Sequence, residues 1–390
     1  MSNTERPDAP AGHIVLPAFA EPHAHLDKAF LAELVENPTG DLMGAIRAME
    51  ASRHLVTLAD TIERAERAAL LMLRNGTTAI RTHADVTTEN GFMSVEALIT
   101  VRDRLRDVID IQVVSLCGWP STGPQGAEQR AMLREAIDMG IDVVGGCPHL
   151  EDDPHAANEN FLAMAAAAGL PVDLHTDETL DPTVVTLDDL SRRVVASGFP
   201  HRVTASHCVS LGMQSEAEQQ RIAEQVAAAG ISVIALPHTN LFLQGREHQS
   251  RMPRALTAVR ALRAAGVNVA AGADNLQDPF NPMGRGDPLE TAALMTMAAH
   301  LLPAEALHTV TTAARRLMGL EGDGDTVRVA AATVREAIAF GPHDRIVMRR
   351  GHAVAGVVAT PASHSSHTRH TEEALSPGAT SNFGGDDDNH

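Results

Sequence analysis

Cysteine is scarce in this sequence and follows no pairing pattern. Among 390 residues there are three cysteines, Cys117, Cys147 and Cys208, and none belongs to a C-x-x-C motif. An odd number of widely spaced cysteines argues against a disulfide framework and against a zinc site built from thiolates. The sequence therefore predicts reduced, buried thiols in a cytoplasmic protein.

Long apolar runs and an excess of basic charge are also missing. No apolar run approaches the roughly 20 residues of a transmembrane helix, and the polar start MSNTERPDAPAG contains no apolar signal core. A net charge of -19 argues against nucleic acid or an anionic membrane as a partner. The expected partner is a small molecule, and a homo-oligomer remains open.

Lysine occurs once, at position 28, whereas arginine is common. The general shortage is interpreted as a compositional bias. Lys28 itself is an exception, because it stands in EPHAHLDKAF (21–30), three residues after His25 in a His-x-His pair.

The chain does contain short apolar runs that alternate with helical segments. These eight runs span residues 13–19, 77–86, 108–116, 141–148, 170–178, 201–208, 231–237 and 267–274. Strands that alternate with helices predict a parallel sheet, and eight such strands close a (β/α)8 barrel of the TIM type. The predicted fold class is α/β, with the barrel over residues 14–318. Residues 319–358 predict a small β segment, and the polar segment 359–390 predicts a disordered tail.

Histidines and acids cluster at the ends of the predicted strands. His-x-His on a strand directs both imidazoles to the same side, and all strands of such a barrel end on one face. The residues at these ends are His23, His25, His83, Asp85, His175, Glu178, His207 and Asp274. The sequence predicts a metal site formed by His23, His25, His175, His207 and Asp274. Imidazoles and a carboxylate are ligands that suit zinc or ferrous iron.

Glu178 stands three residues after His175 at the same predicted rim. A carboxyl group there can carry a proton from an activated water to a leaving nitrogen. The alternative is an exposed acid at a helix start, stabilised by the helix dipole. The neighbouring metal-ligand pattern favours the catalytic interpretation.

The motifs EPHAHLD, HTDE, TASHC, LPHTNLFLQGR and GADNLQDPFNPMGRGD resemble the amidohydrolase superfamily. Their order along residues 14 to 355 is similar to that of the cytosine deaminase branch, which includes N-isopropylammelide amidohydrolase. The resemblance implies a hydrolase, a deaminase that removes an amino or alkylamino group from a pyrimidine or triazine.

The same resemblance implies roles for individual residues. His23, His25, His175 and Asp274 would hold the metal, and His207 would hold the hydrolytic water. Glu178 would be the proton shuttle, and Asp274 would also accept a proton from the water.

The resemblance also bears on the number of metal ions. Two-metal members of the superfamily use a carboxylated lysine at the end of strand four, and the corresponding segment here, VVGGCPHLED, has none. This difference implies one divalent ion per subunit, Zn²⁺ or Fe²⁺.

Other departures concern the small β-sandwich of these relatives and their substrate residues. Twenty-two residues precede His23, fewer than in the relatives, so residues 11–17 and 319–358 should form only a remnant of the sandwich. The segment SLCGWPSTG lacks the glutamine that reads cytosine in cytosine deaminases. The candidate substrate-binding residues are Lys28, Trp119, Gln244, Asn275 and Phe280.

Three of these candidates have alternative interpretations. Trp119 is expected either over the pocket or in the core, and Gln244 either faces the substrate or braces its loop. Lys28 either anchors an oxo or carboxylate group or forms a surface ion pair.

Two alternatives to deamination also remain at this stage. The same metal site could open a cyclic amide or cleave an exocyclic amide. The shortened sandwich also allows a catalytically silent relic that still binds metal.

Overall fold

The predicted parallel barrel is confirmed. The computed structural model describes residues 12–322 and 324–356, and within these residues eight parallel strands pair in chain order, from β2 to β9. The strands are β1 (Ile14–Pro17), β2 (Phe19–Ala24), β3 (Thr77–Val86), β4 (Asp110–Cys117), β5 (Val143–Gly146), β6 (Val172–Thr176), β7 (Val203–His207), β8 (Ser232–Ala235), β9 (Val269–Ala271), β10 (Thr326–Val329), β11 (Arg345–Arg349) and β12 (His352–Ala355).

Helices separate most of these strands, as a barrel of this type requires. The α-helices are α1 (Leu42–Ser52), α2 (Leu58–Arg74), α3 (Met93–Leu105), α4 (Ala127–Asp138), α5 (Pro154–Ala168), α6 (Thr186–Ser197), α7 (Glu216–Ala228), α8 (Pro237–Leu243), α9 (Val259–Ala264), α10 (Pro288–Ala298), α11 (Pro303–Thr309), α12 (Thr312–Met318) and α13 (Val334–Phe340). Short 3-10 helices cover Arg53–Leu55, Pro148–Leu150 and Val209–Met213.

Helix α2 shows how the sequence determines where a helix begins and which face it buries. Thr57 precedes it in an extended conformation, and the Thr57 side chain accepts a hydrogen bond from the Asp60 backbone amide. This contact satisfies one of the free amides of the first turn. Ala65, Ala68 and Ala69 are fully buried, so small side chains let the helix lie close to the barrel wall.

The barrel closes between β2 and β9 through backbone hydrogen bonds. The residues that form these bonds are His23, His25 and Asp274, which also carry polar side chains. The Asp274 amide donates to the His23 carbonyl at 3.0 Å, and the His25 amide donates to the Asp274 carbonyl at 3.3 Å. We call this junction the seam. The seam places the end of the first barrel strand directly beside the residues that follow the last one.

A buried glutamate holds the seam together. The Glu21 carboxylate accepts hydrogen bonds from the amides of His23, at 3.2 Å, and Ala273, at 3.0 Å. Burial raises the pKa of Glu21 to about 8, although these two amides lower it. Position 272 favours glycine, because a Cβ atom there would clash with a side-chain oxygen of Glu21.

The predicted sandwich remnant is an antiparallel sheet with the strand order β1-β10-β11-β12. Ile14 of β1 pairs with Val329 of β10, so the two ends of the described residues meet in this sheet. Arg345 of β11 joins the sheet to the barrel through a bidentate ion pair with Asp287, with distances of 2.7 and 2.8 Å. Both partners are buried, and such paired geometry favours a fixed orientation.

One predicted strand was wrong in detail. The run 13–19 forms two strands in different sheets, with β1 in the small sheet and β2 in the barrel. The break falls at Ala18, whose amide donates to the Asp325 carbonyl, while the next amide, of Phe19, donates to the Gly76 carbonyl. The boundaries proposed at 318 and 319 remain a prediction, and the predicted tail 359–390 lies outside the described residues.

No helix in the described ranges is both long enough and apolar enough to cross a membrane.

We expect Gly272→Ala to lower the free energy of unfolding by about 1–3 kcal/mol, because overpacking a filled site forces its neighbours to shift. Thermal and urea denaturation would measure the change. In a Glu21→Ala background the same substitution should cost less, since its closest neighbour is gone. An equal loss of unfolding free energy in the two backgrounds would show that Glu21 is not the neighbour that restricts position 272.

Candidate metal centre and active site

Three imidazoles and one carboxylate converge at the carboxyl end of the barrel. His23 lies in β2 and His25 directly follows it, His175 lies in β6, and Asp274 follows β9. The Nε2 atom of His175 lies 3.2 Å from Nε2 of both His23 and His25. An Asp274 carboxylate oxygen lies 3.2 Å from His25 Nε2 and 3.6 Å from His23 Nε2. We call these four residues the ligand cluster.

The ligand cluster fits a divalent metal ion. In a tetrahedral site with metal–nitrogen bonds of about 2.0–2.1 Å, two ligand atoms lie roughly 3.3 Å apart. Neither Asp274 carboxylate oxygen has a hydrogen-bond partner among the described residues. Acceptor atoms buried this close to one another repel unless a cation lies between them.

Burial keeps two of the imidazoles in the form that binds metal. The pKa of His23 is well below its usual range, first because the ring is buried and then because other histidines lie near it. Burial likewise lowers the pKa of His175, with His23 as the next cause. Neutral imidazoles offer a lone pair to a metal ion.

A chain of hydrogen bonds selects the tautomer of His23. The Ser206 hydroxyl donates to Asp173 at 2.8 Å, so its oxygen accepts from His23 Nδ1, 2.9 Å away. Arg81 forms an ion pair with the same Asp173 carboxylate at 2.8 Å. Because His23 carries its proton on Nδ1, the lone pair of Nε2 faces the ligand cluster.

His207 and Glu178 stand beside the ligand cluster. Nδ1 of His207 donates to the Asn240 side-chain oxygen at 3.0 Å, and Glu178 lies 3.5 Å from the same nitrogen. Nε2 of His207 lies 4.0 Å from Asp274. Burial raises the pKa of Glu178 well above its usual value, and Asp274 adds to the effect. Only 7% of Glu178 is exposed, so the alternative of an exposed acid is wrong.

A cavity opens over these groups. Its floor includes His25, His175, Glu178, His207 and Asp274, and we call it the first cavity. One wall is the face of α1 that presents three apolar side chains, from Leu42, Ile46 and Met49. The combination of a polar floor and apolar walls suits a flat ring with a few polar groups.

Lys28 lies in this cavity and is almost completely buried. Its ammonium group donates to Asp85 at 2.7 Å and lies 3.5 Å from Asp27. Burial favours a lower pKa for Lys28, but Asp27 and Asp85 outweigh burial and raise the pKa. The surface ion pair considered for Lys28 is wrong, because only 5% of the residue is exposed.

Three other predicted substrate residues also line the first cavity. Trp119 is 42% exposed, so its alternative as core packing is wrong. Phe280 forms part of the wall, and Asn275 is held by a 2.7 Å hydrogen bond from its amide to Asp278.

Gln244 is not among the residues that line the first cavity. It directly follows α8 and lines a neighbouring cavity together with Glu178. Its side-chain amide has no hydrogen-bond partner among the described residues, so it does not brace the loop through that group either.

Sequence reasoning assigned no role to His83 and Asp85, although both were recognised at the end of a strand. The His83 ring lies 4.0 Å from the His23 ring, and neither of its nitrogens has a partner in the described ranges. Asp85 pairs with Lys28 in the first cavity. His149 was also missed: its Nδ1 donates to the His175 carbonyl at 3.0 Å, and burial lowers its pKa to about 4.

Residues 59–325 match the family model described as "Amidohydrolase family". The chain belongs to this family. The predicted superfamily and fold are thereby confirmed, and the protein is a hydrolase of carbon–nitrogen bonds.

Three relatives are informative. The chain is 35% identical over 356 residues to a pterin deaminase of Rhizobium rhizogenes, covering 87% of this chain and 80% of the relative. A 5-methylcytosine deaminase of Klebsiella pneumoniae with bound 5-fluorocytosine is 28% identical, with a TM-score of 0.82 and coverage of 95% and 93%. N-isopropylammelide isopropylaminohydrolase of Burkholderia multivorans is 30% identical, with a TM-score of 0.75 and coverage of 90% and 91%.

We expect Ser206→Ala to weaken divalent metal binding by about 10–100-fold, because it removes the group that fixes the His23 tautomer. Competition with a chromogenic chelator would measure the dissociation constant. Ser191→Ala is a matched control, since Ser191 is equally buried but donates to the Asp188 carbonyl on α6. Unchanged affinity in Ser206→Ala would overturn the tautomer argument.

Proposed function

We propose that this protein is a mononuclear metal-dependent deaminase of nitrogen heterocycles. The observation that carries the proposal is the position of Glu178, which faces the first cavity beside His207 and the ligand cluster. A proton carrier next to a metal site at the floor of a ring-sized cavity is what hydrolytic removal of an amine requires.

His23, His25, His175 and Asp274 would hold one divalent ion, Zn²⁺ or Fe²⁺. When bound, the ion supplies a Lewis acid that lets water act as a nucleophile near neutral pH. The imidazole-rich donor set suits either metal. Lys28 is the sole lysine and lies on the first-strand side, so the chain provides no bridging lysine for a second ion.

The protein's own groups would then move the protons. Nε2 of His207 has no hydrogen-bond partner in the described part of the chain and faces the ligand cluster, where it can orient the attacking water. Asp274 would accept a proton from that water, and Glu178 would carry a proton to the ring nitrogen and then to the leaving amine. Glu178 lies beside the same imidazole, 3.5 Å from its other nitrogen, Nδ1, so the proton carrier and the water-orienting residue would be neighbours.

The relatives support a ring with an exocyclic amino or alkylamino group as the substrate class. Their names state pterin, 5-methylcytosine and N-isopropylammelide as substrates, and pterin belongs to the relative with 35% identity. The charged Lys28 would donate to an oxo group of the ring, while Trp119 and Phe280 would cover its faces. We therefore place pterins first, followed by pyrimidines and triazines.

The cytoplasm is the proposed compartment. Cys117, Cys147 and Cys208 are buried and unpaired, and burial raises the pKa of Cys117 to about 12. Such thiols are unreactive and fit a reducing environment.

We expect Glu178→Gln to lower kcat by about 10²–10⁴-fold, because the amide cannot carry a proton. Release of ammonia or alkylamine from pterin, cytosine, 5-methylcytosine and N-isopropylammelide would be measured, alongside bound metal. Glu159→Gln, an exposed glutamate on α5, is the control. Hydrolysis that yields a new carboxylate but no free amine would instead favour cyclic-amide opening.

We expect Lys28→Met to raise the KM for an oxo-substituted ring roughly ten-fold or more, the loss expected for a hydrogen bond from a charged donor. Initial rates against substrate concentration would give KM and kcat separately. A melting curve should accompany them, since Asp85 loses its partner. An unchanged KM with an intact fold would show that Lys28 does not contact the substrate.

A further inference from the structure

A second cavity adjoins the first at Glu178. Three residues line both cavities: Leu42, Leu150 and Glu178. The two leucines form an apolar partition, and Glu178 is the polar group that both cavities share. The two cavities therefore lie side by side, with Glu178 at their common boundary.

The second cavity combines apolar surface with unpaired hydrogen-bonding atoms, both acceptors and the Gln244 amide donor. Val184 and Leu243 contribute apolar side chains near the partition. His149 uses Nδ1 to donate to a carbonyl, so Nε2 carries a lone pair, and this atom is buried without a partner among the described residues. Both polar atoms of the Gln244 side chain are likewise buried and unpaired there. Buried polar atoms without partners are uncommon and indicate a missing ligand or water.

The charge at this site favours a neutral or cationic group. Asp41, Asp181 and Glu247 also line the second cavity, whereas no lysine or arginine does so within the described ranges. A carboxylate or phosphate would meet repulsion there, while a donor group would find acceptors.

We propose that the second cavity is a subsite for the substituent on the leaving amine, and that it accepts an alkylamino group whose chain ends in a hydrogen-bond donor such as a hydroxyl. The inference rests on the proposed function. Because Glu178 protonates the leaving nitrogen, the bond that breaks lies at Glu178. The ring occupies the first cavity beside Lys28, and the alkyl chain extends past the leucine partition towards His149 and Gln244.

The reaction balances without any further reactant. The oxygen of water forms a bond to the ring carbon, and the exocyclic carbon–nitrogen bond breaks. One water proton passes through Glu178 to the leaving nitrogen, so the products are the hydroxy or oxo ring and a neutral primary amine. No atom is oxidised or reduced.

The test compares amine release from three forms of one ring, carrying amino, propylamino or 3-hydroxypropylamino groups. Wild-type protein should release all three amines, with the hydroxypropylamino form having a lower KM than the propylamino form. Val184→Phe should narrow the second cavity by placing a phenyl ring at its lining. It should lower the ratio of kcat/KM for alkylamine release to that for ammonia release at least ten-fold.

The matched control is Val195→Phe, at a valine that is 57% exposed on α6; it should leave that ratio unchanged. If Val184→Phe does not fold, Gln244→Leu provides the test. This variant should remove the difference in KM between the 3-hydroxypropylamino and propylamino forms. Ammonia release without any alkylamine release, or an unchanged ratio in a folded Val184→Phe, would overturn the subsite. If no ring releases ammonia or an amine, the proposed function itself fails.

Discussion

Closure of the barrel at the seam is the constraint on which the rest of the site depends. The Asp274 and His25 amides make the hydrogen bonds that join the first barrel strand to the residues after the last one. The same residues supply side chains to the ligand cluster. A slip of one residue at the seam would turn these side chains to the other face of the sheet, because side chains alternate along a strand. Glu21 and the glycine at position 272 fix this register from inside the wall.

The site concentrates polar groups where the fold would otherwise place apolar ones, and this arrangement opposes stability. His207 and Asp274 also have positive φ angles, of 69° and 66°, which cost energy in residues other than glycine. The Ser206–Asp173–Arg81 chain compensates in part, because each of its members has a buried partner. A bound divalent ion would compensate further by satisfying the carboxylate and imidazoles, so metal binding and folding should be coupled.

Periodicity and strand position predicted the barrel and a metal site at one of its faces, while the resemblance to the amidohydrolase superfamily implied which four residues would be the ligands. Each ligand follows a short apolar run, and the parallel topology brings such positions to one face whatever the loops do. Side-chain environments were not predictable in the same way. Lys28 is buried because two acids from different segments, Asp27 and Asp85, surround it. Gln244 misses the first cavity because the segment after β8 folds into α8, which carries it to the second. Such outcomes depend on loop conformations that no local pattern encodes.

The burial of the single lysine has a consequence for handling this protein in the laboratory. In 390 residues there is one side-chain amine, and it is only 5% exposed inside the first cavity. Acylating reagents and lysine cross-linkers therefore have no lysine target on the surface of the folded chain. Modification of that amine would indicate either unfolding or entry of the reagent into the first cavity. The extent of Lys28 modification therefore measures how accessible the cavity is.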